Sequence, residues 1–109
     1  MALDHEGRAR RAWPLLVAIA TRRRDPITYG ELCARLGLHH RAAAWLLDCI
    51  EGWCAHLRLP PLQALVVNSR TRLPGRGSTG AGRSAQQHRR ALERVYRHPS
   101  WPARAPRSG

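Results

Sequence analysis

Three interruptions in the sequence limit the chain to a fold built from short helices. They are Asp25-Pro26, Gly37 and Pro60-Pro61, which divide the middle of the chain into segments. Proline cannot continue a helix from within and holds the residue before it in extended conformations, and glycine often follows a helix in the left-handed conformation. No helix is therefore expected to run through these points, and the longest uninterrupted segment between them is residues 38–59.

The apolar spacing predicts three helices before the proline pair. The first covers Trp13 to Arg23, because apolar side chains recur there every three or four residues. The second runs from Tyr29 to Leu36, since Thr28 and Glu31 have the spacing of a capping box that starts a helix. The third begins at residue 39 or 40 and continues to about residue 57 with one apolar face.

The remaining segments differ sharply in composition. Leu62 to Asn68 is apolar and predicts a short buried strand. Residues 69–83 are rich in glycine and arginine, which predicts a mobile basic loop or wing. Ser84 is a helix cap before a predicted helix from Ala85 to Arg97, and the proline-rich residues 98–109 are predicted to form a disordered basic tail.

Three helices, one or two short strands and a basic wing, in that order, predict a fold of the mainly α (α+β) class. The arrangement is that of a winged helix-turn-helix with a short strand or wing and a C-terminal helix. The predicted domain spans residues 13–97, and residues 1–12 are predicted to form a flexible basic N-terminus. In such modules the second helix of the pair enters the major groove by its N-terminal end, which carries His39, His40 and Arg41 here.

The charge of the chain predicts an anionic partner. Its net charge is +12, and all 19 basic residues are arginines. Residues 1–24 hold six arginines and two acids (+4), residues 25–66 hold three arginines and four acids (−1), and residues 67–109 hold ten arginines and one acid (+9). A nearly neutral core between basic flanks is typical of a module held on a polyanion, and double-stranded DNA is the predicted partner.

Arginines in the wing complete the predicted DNA-binding set. Arg70, Arg72 and Arg76 are expected to hold the phosphate backbone, while the start of the third helix reaches the groove or its flanking phosphates. Two alternatives remain open. The surface is either basic and solvated without a specific ligand, or it belongs to an interaction or regulatory module of a larger bacterial system, which holds an acidic protein partner.

The sequence contains no assembled catalytic or metal site. Cys33, Cys49 and Cys54 are odd in number and lie within apolar helical pattern, so reduced, buried thiols in a cytoplasmic protein are expected rather than disulfides. Their spacing fits no zinc motif. We therefore expect no enzyme activity, cofactor, metal or small-molecule substrate. The apolar stretch Trp13 to Ala20 is too short to span a bilayer, so no membrane partner is expected.

Four tryptophans offer a further way to contact nucleic acid, since bases stack on aromatic rings. The spacing of Trp13 and Trp53 predicts core positions for both. Trp45 flanks the apolar face of the third helix, and both core packing and base stacking remain open for it.

Five short motifs occur in the order seen in one family of DNA-binding domains. They are RAW (11–13), TYGEL (28–32), LG (36–37), RAA (41–43) and LP…VVN (59–68). Over roughly residues 11–75 the chain resembles the winged helix of alkylguanine-DNA alkyltransferases and the alkyltransferase-like proteins. The resemblance implies that Tyr29 presses on the phosphate 3′ to a target nucleotide and that Arg41 fills the space left in the base stack. A tyrosine packed at the helix start and an arginine lying on the helix surface are the structural alternatives.

The departure from that family concerns its reaction. Alkyltransferases carry Pro-Cys-His-Arg before Val-Val, where the histidine helps to form the reactive thiolate. Counting back from Val66 places Gln63 at the cysteine position, and counting from Pro61 places Leu62 there. Neither side chain can accept an alkyl group, so the resemblance implies DNA binding without alkyl transfer. Alkyltransferase-like proteins also lack the cysteine but keep the histidine and arginine, which are missing here, so the resemblance does not extend to lesion recognition.

Overall fold

The structure, a computed structural model, describes residues 5–74 and 84–106. In chain order the elements within these residues are α1 (His5–Thr21), β1 (Ile27–Thr28), α2 (Tyr29–Leu36), α3 (Ala42–His56), a 3₁₀ helix (Leu62–Leu65), β2 (Val66–Val67) and α4 (Ala85–Arg97). The described chain is thus mainly helical with a small two-stranded sheet, which confirms the predicted α+β class.

Helix α1 begins well before the predicted start at Trp13. It starts at His5, so the prediction of a flexible N-terminus is wrong for residues 5–12. Ala9 and Ala12 are fully buried there and extend the buried side of the helix toward its N-terminus. The small alanine side chains allow α1 to lie close against its neighbours, although they give only a weak apolar signal in a segment rich in arginine.

The predicted bounds of α2 are confirmed, and local capping explains them. The Thr28 hydroxyl accepts a hydrogen bond from the Glu31 backbone N–H at 3.1 Å, and the Glu31 carboxylate accepts from the Thr28 backbone N–H at 3.4 Å. This reciprocal cap satisfies two backbone groups and contributes about 1 kcal/mol. The helix ends at Gly37, whose φ of 68° lies in the left-handed region that glycine adopts without strain.

Helix α3 begins at Ala42, so the predicted start at His39 or His40 is wrong. The two histidines and Arg41 lie in the turn before it, where the Ala42 backbone N–H donates to the His39 carbonyl at 2.9 Å. Arg41 is the N-cap residue of α3, and its side chain makes no capping hydrogen bond. A tight turn after Gly37 thus replaces the first helical turn that the sequence pattern predicted.

The predicted strand from Leu62 to Asn68 is mostly a 3₁₀ helix. Residues 62–65 form that helix, closed by a hydrogen bond from the Ala64 N–H to the Pro61 carbonyl at 2.9 Å. Only Val66 and Val67 pair as a strand, because β1 offers just two residues before Thr28 caps α2. The strands are parallel, with Thr28 opposite Val67, so the chain leaves both strands at the same edge of the sheet.

The C-terminal segment is packed on the core, and the prediction of a disordered tail is wrong for residues 98–106. The Trp101 ring lies 6.2 Å from the fully buried Trp13 ring, and its Nε1–H donates to the Val95 carbonyl at 3.2 Å. The Trp13 Nε1–H in turn donates to the Pro102 carbonyl at 2.8 Å. Residues 107–109 lie outside the described part. The high proline content indicated disorder, but one tryptophan anchors the segment.

Helix α4 has its predicted bounds and is held against the 3₁₀ helix. Ser84 accepts a hydrogen bond from the Gln87 backbone N–H at 3.2 Å, which caps the helix. The buried His88 donates from Nε2 to the Ala64 carbonyl at 2.8 Å. This contact ties α4 to the 3₁₀ helix.

Candidate nucleic-acid interface

A shallow concavity lies between the N-terminal half of α1 and the start of α3. It has a volume of about 330 Å³. Its lining comprises Arg8, His39, Arg41, Ala42 and Trp45. None of these lining residues is acidic, so the concavity combines cationic groups with one large aromatic ring. A surface of this composition attracts anionic ligands that carry a planar group.

One arginine of α1 fixes the α2–α3 turn beside this concavity. The Arg11 guanidinium donates from Nη2 to the Leu36 carbonyl at 2.9 Å, at the C-terminal end of α2. A cation there satisfies a helix-terminal carbonyl and interacts favourably with the helix dipole. Arg8 lies one turn earlier on α1, so the same packing brings its side chain to the turn.

The predicted residues of the turn are all exposed. The His39 and His40 rings lie 4.1 Å apart, tilted by 33°. The Arg41 backbone N–H donates to His39 Nδ1 at 3.2 Å. The turn therefore presents two imidazole rings and one guanidinium to solvent, and His39 and Arg41 line the concavity.

Trp45 is half exposed, at 50 % of its possible surface. The His5 ring of α1 contacts it edge to face, with ring centroids 4.5 Å apart at 62°. Sequence reasoning missed the contributions of Arg8 and His5 because it placed both in a flexible arm. The signal that could have found them is the pair Ala9 and Ala12, which continues the helical spacing of the buried side.

Tyr29 is half-buried at the first position of α2 and packs against the hydrophobic core. The turn that follows β2 leaves the sheet at the same edge, because Thr28 and Val67 are paired in parallel. Tyr29 therefore lies at the N-terminal end of α2, near the turn that follows β2. The α2–α3 turn lies at the C-terminal end of α2.

The turn from Asn68 to Leu73 is closed by a set of short hydrogen bonds. The Asn68 N–H donates to the Leu73 carbonyl at 2.8 Å, and the Asn68 side-chain oxygen accepts from the Arg70 N–H at 2.8 Å. Arg72 has a left-handed φ of 58°, and its N–H donates to the Asn68 carbonyl at 2.8 Å. Arg70 and Arg72 are exposed on this ordered turn. Arg76 lies outside the described residues.

The two positions compared with the alkyltransferase nucleophile are both buried in the 3₁₀ helix. Leu62 is fully buried, and Gln63 is 3 % exposed. The side-chain oxygen of Gln63 has no hydrogen-bond partner among the described residues. A buried amide oxygen without a partner is unfavourable, but it is neither a nucleophile nor a base.

The three cysteines are free thiols, and Cys33 and Cys54 are buried. Burial raises the pKa of the Cys54 thiol to about 11, and burial likewise raises the pKa of Cys33 and Cys49. Thiols held protonated in this way are poor nucleophiles. Within residues 5–74 and 84–106, no group of three or more His, Cys, Asp and Glu side chains is placed to hold a metal ion. No helix in that part of the chain is both long and apolar enough to cross a bilayer.

The raised pKa of Cys54 predicts a loss of stability in alkali. The folded-state pKa of about 11 exceeds the ordinary value of 9.0, so the unfolded thiol ionises first. The contribution of the Cys54 thiol to the free energy of unfolding is fully present below pH 9. It falls by up to about 1.4 kcal/mol per pH unit as the pH rises toward 11. Urea unfolding between pH 8 and about pH 11 measures this slope.

Cys54→Ala is the control, because burial also raises the pKa of Tyr96 and the other two thiols. The variant is expected to be less stable at pH 8 but to lose less stability than the parent as the pH rises. Parallel pH profiles for the two proteins would show that Cys54 does not titrate as its burial requires.

Comparisons of the sequence and the structure with known proteins found no matching family model, curated protein or solved structure. The assignment of a function therefore rests on the charge, exposure and placement of this chain's own side chains. Those side chains form a cationic concavity with an exposed indole at the α2–α3 turn, and two exposed arginines on the turn after β2.

Proposed function

We propose that this protein is a non-enzymatic, DNA-binding winged-helix protein similar to the alkyltransferase-like proteins. It grips duplex DNA through the α2–α3 turn and an arginine-rich wing after β2. The observation that carries the proposal is the cationic concavity, where Arg8 of α1 and Arg41 of the α2–α3 turn line one surface that has no acidic lining residue among residues 5–74 and 84–106. Two guanidinium groups placed together by the fold suit adjacent phosphates of a nucleic acid backbone.

The geometry of the α2–α3 turn supports a contact with the groove. His39, His40 and Arg41 are exposed immediately before α3. A docked α3 would lead with these side chains, as the second helix of a helix-turn-helix does. The acids Asp48 and Glu51 come about one and a half to two and a half turns later, away from the leading end.

The turn after β2 supports a second contact with the backbone. Arg70 and Arg72 project from a turn that internal hydrogen bonds hold closed, so little conformational freedom is lost when they bind. In the proposed winged helix, residues 69–83 form the wing and include Arg76, which lies outside the described residues. Tyr29 lies at the same edge of the sheet as this turn, and we expect it to contact a backbone phosphate there.

A protein partner was the alternative, and an exposed apolar patch around Trp45 and Leu47 would favour it. Leu47 is only 6 % exposed, so no such patch forms around these two residues. The exposed face of Trp45 is bordered by Arg8 and Arg41 instead. This combination favours nucleic acid over an apolar protein surface.

The test is a binding titration with a short fluorescent duplex at low salt, compared with a duplex containing alkylated guanine and with a single strand. Arg41→Ala is expected to weaken duplex binding about tenfold, which corresponds to roughly 1.4 kcal/mol. Arg104→Ala removes the same charge from an exposed position of the C-terminal segment and is expected to have less than about twofold effect. Equal losses of duplex affinity in the two variants would show that the protein binds as a non-specific polycation. Undetectable duplex binding would contradict the proposal.

A further inference from the structure

We propose that the concavity between α1 and α3 binds an unpaired nucleobase, which stacks on Trp45 while its neighbouring phosphates contact Arg8 and Arg41. The protein would then prefer DNA with a single-stranded end or gap over blunt duplex. This inference rests on the proposed DNA-binding function and specifies which form of DNA the site selects.

The exposure of Trp45 is the first observation. Trp45 and Leu57 are the large hydrophobic side chains that are exposed among the described residues. The other tryptophans contact one another, since the Trp13 ring lies 6.1 Å from Trp53 and 6.2 Å from Trp101. Tryptophan is highly buried on average, so a half-exposed indole outside this cluster is available for a ligand.

The second observation is that the Trp45 ring is held in place by α1. The edge-to-face contact with His5, at 4.5 Å between centroids, orients the indole. A ring that is already oriented loses little freedom when a base stacks on it, which favours binding. The contact depends on α1 beginning at His5, so the folded N-terminal half of that helix is part of the site.

The third observation identifies the chemistry of the ligand. Arg8 and Arg41 line the same concavity as Trp45, and no carboxylate within the described part of the chain does. Such a site suits a ligand that has a planar ring next to a negatively charged group, as a nucleotide has. The indole would stack on the base, and the guanidinium groups would bind the phosphates. The volume of about 330 Å³ lies at the lower end of ligand sites, which suits a single base.

A base within a duplex cannot use this site, because its two faces are already covered by its neighbours in the stack. An unpaired base has a free face and can reach the indole without the unstacking cost of extrusion. The site should therefore discriminate between unpaired and paired nucleotides, and it should do so with little regard to base identity.

The experiment compares three fluorescent DNAs that have the same number of phosphates. One is a blunt duplex, one is a duplex with a short single-stranded overhang, and one has the same overhang with abasic sites. The parent protein is expected to bind the overhang on the order of tenfold more tightly than the blunt duplex. Abasic sites keep the phosphates but remove the bases, so that preference should disappear with them.

Trp45→Ala is expected to abolish the preference for the overhang, measured as the ratio of the affinities of the same variant for overhang and blunt duplex. Trp45→Phe keeps an aromatic ring and should retain part of the preference. Leu57→Ala is the matched control, since Leu57 is also exposed, at 41 %, but does not line the concavity. Circular dichroism and thermal unfolding establish that each variant is folded.

Equal affinity of the parent protein for overhang and blunt duplex would overturn the inference. The exposed Trp45 would then be interpreted as a contact for a protein partner. A preference that survives Trp45→Ala, or one that persists with abasic sites, would overturn it as well. Failure of the proposed function is distinguishable, because then the blunt duplex is not bound. Trp45-dependent binding of the overhang would support the base site even in that case.

Discussion

Replacing Trp13 with alanine is expected to lower the free energy of unfolding by about 3–5 kcal/mol, enough to unfold much of a small domain. Trp13 is fully buried at the centre of the core, and its ring contacts Trp53 and Trp101. Its Nε1–H also donates to the Pro102 carbonyl, which ties the C-terminal segment to α1. The substitution removes the largest side chain of the core and leaves a cavity together with an unpaired carbonyl.

Urea unfolding followed by circular dichroism measures this loss, and two variants separate its causes. Trp13→Phe keeps an aromatic ring but removes the donor to Pro102, so we expect a smaller loss of about 1–2 kcal/mol. Trp45→Ala removes an indole that is half exposed and is expected to cost less than about 1 kcal/mol. If Trp13→Ala and Trp45→Ala were equally stable, the core would not be organised around Trp13.

The elements that the sequence predicted correctly are those that local chemistry bounds. Helix α2 begins where the Thr28 and Glu31 caps form and ends at Gly37, and all three interactions lie within nine residues of each other. Helix α4 likewise begins after the Ser84 cap. Such interactions can be predicted from spacing alone because no distant part of the chain takes part in them.

The elements that were predicted wrongly depend on distant contacts. The C-terminal segment is ordered by a hydrogen bond between Trp13 and Pro102, which composition cannot indicate. The 3₁₀ helix replaces most of the predicted strand because β1, the strand that pairs with this segment among the described residues, ends where α2 begins. In both cases a tertiary contact overrode a local tendency.

The candidate site could be predicted only in part for the same reason. His39, His40 and Arg41 were predicted at the N-terminal end of the third helix, and the structure places them in the turn before α3. Arg8 was missed because its role depends on α1 packing against the start of α3. Spacing in the sequence predicts which residues share one face of a single helix. The concavity is formed by two separate elements, α1 and the start of α3.

The affinity for duplex DNA is expected to fall steeply as salt is raised, and this is the largest effect that the proposed function predicts. Among the described residues, the arginines proposed to contact phosphate are the half-buried Arg8 and the exposed Arg41, Arg70 and Arg72. With one phosphate for each, the logarithm of the binding constant falls with the logarithm of the salt concentration at a slope of about −3.6. Between 50 and 200 mM salt the affinity then falls roughly 150-fold. Anisotropy titrations across this range measure the slope.

Two double variants with equal charge test whether placement or net charge determines the slope. Arg70→Ala with Arg72→Ala removes two proposed contacts and is expected to reduce the slope to about −1.8. Arg89→Ala with Arg90→Ala removes the same charge from exposed positions of α4 and is expected to leave the slope nearly unchanged. Counterion release counts the phosphates actually neutralised, whereas a diffuse attraction depends on the total charge. Equal slopes for the two double variants would therefore assign the binding to the net charge of +12 and not to the turn after β2.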